Sequence, residues 1–164
     1  MRPIKLGHAP DVLGRKTRYT GKRGLKVAGH LRNHRLTPTQ GLLLLDNAAT
    51  DGFFLRLHQV SKVTCPFILI ECKNYSSDLG NPELDQMAGR FGPNRGEFGL
   101  MLCRTIQDHE LFLQRCRDTF RDNRGLILPL TDDDLLEALR KRAEGAAMPL
   151  EDQLSDLYRA VALA

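Results

Sequence analysis

No stretch of this 164-residue chain is apolar for long enough to cross a membrane. Its opening residues, Met1-Arg2-Pro3-Ile4-Lys5, carry no signal-peptide core. A cytoplasmic protein without a membrane partner is the expectation. Closely spaced cysteines are also missing. Cys65, Cys72, Cys103 and Cys116 never form a Cys-x-x-Cys pair, which argues against a zinc site, and they are too few for a secreted disulfide framework. Buried free thiols are expected instead. Acids are scarce where bases are dense: residues 1–35 hold ten Lys or Arg and a single acid, Asp11. Of the 24 bases and 20 acids in the chain, 14 and 19 remain beyond residue 35, so a head of about +9 precedes a body of about −5. A basic arm suits a polyanion, whose phosphates give salt-dependent attraction without sequence preference. A solvated irregular terminus explains the same composition.

A hydrophobic content of 41% with 27% charged residues fits one globular domain with a real core. Residues 1–36 lack sustained periodicity and read as a largely irregular arm. The abrupt change of composition near Thr37 is expected if this head is an altered or shortened form of a longer parent's sequence. Leu42-Leu43-Leu44-Leu45 predicts a strand closing at Asp46, and Phe53, Phe54, Leu57 and Val60 fall at helical spacing. Phe67 to Lys73 predicts the central strand. Asn81, as cap, with Pro82 in the first helical position predicts a helix to about Phe91. A strand over 98–103 and a helix capped by Asp108 follow. Next come a strand over 126–130 after Gly125, and a helix capped by Thr131 with Asp132 to Asp134 in its first turn. Residues 151–163 predict a terminal amphipathic helix. Strand-helix alternation from residue 67 onward argues for parallel pairing in an α/β domain of two or three layers. Residues 37–145 are taken as the domain and 146–164 as a separate C-terminal helix.

The segment Pro66-Phe67-Ile68-Leu69-Ile70-Glu71-Cys72-Lys73-Asn74-Tyr75 carries the chemistry. On a strand, Glu71 and Lys73 project from one face, at an end expected to be reachable by solvent. A carboxylate there can hold a divalent cation, and the ammonium beside it can orient water or neutralise a phosphate oxygen. An exposed ion pair at a sheet edge is the plain alternative, and Glu-x-Lys occurs by chance in many chains.

Beyond this tripeptide, the string Glu71-Cys72-Lys73-Asn74-Tyr75 and the segments Gly80 to Gln86 and Ala88 to Phe91 resemble the restriction-endonuclease-like superfamily with its PD-(D/E)xK motif. The likeness continues through Gly99 to Arg104, Arg115 to Asp118 and Leu130 to Leu135, and covers roughly Asn47 to Arg140. It implies a mixed sheet flanked by helices and a Mg²⁺- or Mn²⁺-dependent endonuclease that hydrolyses phosphodiester bonds, in restriction or defence. Glu71 and the Cys72 backbone carbonyl would be metal ligands, Lys73 would orient the attacking water, and Gln86 would help hold water or substrate. DNA is the implied partner, contacted by Arg15, Lys16, Arg18, Lys22, Arg23, Asn74 and Tyr75. A homodimer or a larger defence complex is left open. The chain departs from the pattern at one point: the strand before Glu71 should carry an Asp, and the place where it is expected holds Leu42. Asp46 is the best substitute as catalytic residue and metal ligand, because even-numbered positions share its face; Asp51 is second. A catalytically silent module that keeps the fold for nucleic-acid binding or assembly is the alternative function. An unrelated α/β domain with a chance Glu-x-Lys is a third reading.

Overall fold

In a computed structural model, residues 41–74 and 80–163 are described. Four strands and five helices follow in the order β1 (Gly41–Asp46), α1 (Gly52–Gln59), β2 (Phe67–Lys73), α2 (Asn81–Ala88), β3 (Phe98–Cys103), α3 (His109–Arg121), β4 (Leu126–Thr131), α4 (Asp132–Ala143) and α5 (Pro149–Ala162). The sheet order is β1-β2-β3-β4. β1 runs antiparallel to β2, while β2, β3 and β4 are parallel. This is an α/β fold with a mixed sheet, and the parallel part follows from the two helical crossovers between β2 and β4.

Alternation along the strands assigns each residue to a face. Leu69, Glu71 and Lys73 share one face with Gly99, Met101 and Cys103 of β3. α2 lies over this face so closely that a side chain at Gly99 would meet Met87 and Phe91. α3 packs beside α2, its Cys116 near Cys103. On the other face, Phe98 holds Phe53 and Phe54 of α1 at ring-centroid distances of 6.1 Å, and Phe53 contacts Tyr158 of α5 at 6.4 Å. The core is therefore two apolar layers, one on each side of β2, β3 and β4. The parallel strands β3 and β4 are almost wholly buried, as their unbroken apolar sequences require.

Two local readings are corrected. Gly80, not Asn81, caps α2: its N–H donates to the Glu83 carboxylate at 2.8 Å, and Asn81 is already helical. The helix stops at Ala88, because Gly89 ends it and the chain turns to bring Phe91 under β3. The last helix is part of the domain rather than an appendage. Glu151 accepts from Phe53 N at 2.6 Å, Ser155 accepts from Arg56 at 3.1 Å, Gln153 donates to Asp134 at 2.6 Å, and Arg117 donates to the Ala160 carbonyl at 2.8 Å. These bonds tie α5 to α1, α3 and α4. At Gly52 the backbone turns into α1 with φ +78°, and a Cβ there would strike Glu151. The basic arm, residues 1–36, lies outside the described residues.

Candidate functional site

Glu71 and Lys73 stand on one face of β2, as strand alternation requires, but they are not at an open strand end. The Glu71 side chain is 0% exposed and that of Lys73 1%. The Lys73 ammonium lies 2.7 Å from one Glu71 oxygen and donates to the Gln86 side-chain carbonyl at 2.9 Å. Arg90, 23% exposed, approaches the other Glu71 oxygen at 3.3 Å. Among the described residues neither oxygen accepts a well-aligned hydrogen bond, and the two cations hold them by charge. A buried carboxylate is tolerated only with such compensation. Among the described residues, two cations face this one carboxylate.

The helix α2 and the turn that follows it supply half of this cluster. Gln86 reaches Lys73 and Arg90, four residues on, reaches Glu71, so the two fall on one side of the segment. Glu83, on the same polar stripe in the sequence, caps the helix instead. In the sequence Arg90 falls on one polar stripe with Glu83 and Gln86, where an ordinary solvated helix face explains it equally well.

Asp46 is the main correction. Across the β1–β2 ladder Leu42 pairs with Glu71, and Asp46 pairs with Phe67. Asp46 does share the face of Glu71, but it lies four residues down the strand, about 13 Å at ~3.3 Å per residue. Asp51 is near Glu151 at the start of α1, where its charge helps raise that carboxyl. Leu42 thus occupies the β1 position nearest Glu71, and on the β3 side the neighbour in register is buried Met101. Cys72 lies within both ladders, opposite Gly41 and Leu102, with its side chain on the other face and half-buried. Burial, then the Glu71 and Asp132 charges, push the Cys72 thiol up. Asn74 is exposed just past β2. Tyr75, Arg15, Lys16, Arg18, Lys22 and Arg23 lie outside the described residues.

The donor set can be weighed against a divalent cation. Mg²⁺ favours six oxygens and usually one or two carboxylates. Among the described residues no three of His, Cys, Asp and Glu are grouped to hold a metal. One carboxylate, already faced by two cations and flanked by Leu42 and Met101, does not fit the ion. His58 accepts from Cys65 N at 3.2 Å, and Asn47 donates to the Cys65 carbonyl at 2.7 Å. Among the described residues no disulfide links the four cysteines, and burial pushes the Cys65 and Cys116 thiols up to about 12.

Compared with protein-family models, curated proteins and solved structures, the chain matches none.

Proposed function

We propose that the chain is a member of the restriction-endonuclease-like superfamily that has kept the fold and lost the hydrolytic site, and that it serves as a DNA-binding module in restriction or defence. One observation carries the silent reading: both oxygens of Glu71 face cations of the chain itself, Lys73 and Arg90, while Leu42 stands opposite where a second carboxylate would be needed. Hydrolysis assisted by Mg²⁺ or Mn²⁺ needs an ion held firmly enough to polarise phosphate and water. The DNA-binding part rests on the charge of residues 1–35, about +9, whose attraction to phosphates needs no metal.

Duplex binding measured in EDTA across a salt series tests this directly. Binding is expected, with log affinity falling linearly against log salt, and deletion of residues 1–35 should flatten the slope. No cleavage is expected with Mg²⁺ or Mn²⁺. The Glu71-x-Lys73 geometry, with Gln86 on Lys73, favours the endonuclease as the second reading. Metal-dependent cleavage that vanishes in both Glu71→Ala and Lys73→Ala would establish it. Absence of any duplex binding would discard both.

A further inference from the structure

The two edges of the sheet are treated differently. β4 has Pro129 within it, is buried along Leu126 to Leu130, and touches α3, α4 and α5. Among the described residues β1 has no proline and is exposed from Leu42 to Leu44. From Leu42 to Leu45 it carries no charge, and its ladder with β2 runs from Gly41 to Asp46 without a bulge. Leu42, Leu43 and Leu44 are 37%, 42% and 48% exposed. Among the described residues no strand pairs with the outer edge of β1.

The exposed leucines lie on both faces: Leu42 and Leu44 on that of Glu71, Leu43 on that of Ile70. A surface laid on one face cannot cover both sets. A strand added at the edge covers both, because its side chains also alternate. Such a strand must be extended, uncharged and apolar on both faces, and Leu42 to Leu45 of another molecule has these properties.

We infer that β1 is a self-association edge, through which two copies of this chain pair antiparallel about a two-fold axis normal to the sheet, giving one eight-stranded sheet. An axis in that direction keeps each face on its own side, so residues facing each other must share parity. Centring the axis on Leu43 sets Leu43 against Leu43 and Leu42 against Leu44. The two Asp46 carboxylates then lie six positions apart, about 20 Å at ~3.3 Å per residue, and do not repel at close range. One short strand covers less than the ~800 Å² per partner of a standard stable interface, so the dimer is weak and reversible.

Sedimentation of the full chain from roughly 5 to 500 µM, the range of weak association, tests the surface. The weight-average mass should rise with concentration from 18.5 kDa toward twice that value. Leu43→Lys and Leu43→Glu, each placing like charges face to face on the axis, should each stay monomeric, and a mixture of the two should associate again. In the unaltered chain, hydrogen-exchange protection of residues 42–45 should increase with concentration, a readout that does not depend on the variants folding. A monomer throughout, self-association by either variant alone, a mixture that fails to associate, or protection independent of concentration would overturn the inference. The last result is the one expected if residues 1–40 of the same chain cover the edge.

Discussion

Lys73 stands at the centre of the buried polar network, linked to Glu71 on its own strand and to Gln86 on α2. Placing two such charges in the interior is expensive, and removing one partner strands the other. Lys73→Met should therefore destabilise the domain by about 3–5 kcal/mol, the usual cost of breaking a buried pair. Urea unfolding measures it; a loss under 1 kcal/mol would mean the pair is effectively solvated. Glu71→Ala belongs to the same class, because it removes the buried anion that Lys73 and Arg90 share. Glu151 offers a second test at this scale. Burial raises its carboxyl above the ordinary 4.5, although the hydrogen bond from Phe53 N opposes the shift. The folded chain then binds more protons than the unfolded chain between the two pKa values, so stability falls as pH rises through that interval. Glu151→Gln keeps an acceptor for Phe53 N and should flatten that part of the profile. Urea midpoints between pH 4 and 7 for the two proteins should diverge in slope, and parallel profiles would show that another group sets the trend.

At the scale of elements, the ladder between β1 and β2 decides what Glu71 can do. Residues directly opposite in an antiparallel pair have Cβ atoms about 4.5–5.5 Å apart. Leu42→Asp would accordingly bring a second carboxylate beside Glu71. It is expected to bind Mn²⁺ more tightly than the unaltered chain, read by calorimetry with the metal alone. Asp46→Asn should have no effect on that binding, since Asp46 pairs with Phe67. Dependence on Asp46 would mean the register is wrong. The α4 cap behaves as its sequence predicts: Thr131 accepts from Asp134 N at 3.2 Å, and Asp134 accepts from Thr131 N at 2.7 Å. Three acids in the first turn and three bases in the last complement the helix dipole.

At the scale of the whole molecule, α5 acts as a clasp across α1, α3 and α4, with Leu154 wholly buried beneath it. Deleting residues 149–164 removes this apolar cover together with the Glu151 bond to the start of α1. The shortened chain is expected to lose its cooperative thermal transition; retention of a sharp transition near the original midpoint would show that α5 is dispensable.

What the sequence determined by itself is local and periodic. Alternation and helical spacing were enough for the four strands and five helices, because continuous apolar runs such as Leu126 to Leu130 and caps such as Asp108 and Thr131 act over a few residues. Strand period alone also sufficed to set Glu71 and Lys73 on a common face, whereas Gln86 was expected only through the family resemblance. Tertiary structure decided the rest. Register is a property of two strands together, so Asp46 had the right face and the wrong end. Burial depends on what packs above a strand: Glu71 and Lys73 are buried, and Gln86 of α2 meets Lys73, so the expected open site is an ion-pair network. The partnership of Arg90 with Glu71 arises because the chain turns back after Ala88, a path that no spacing rule along one segment records.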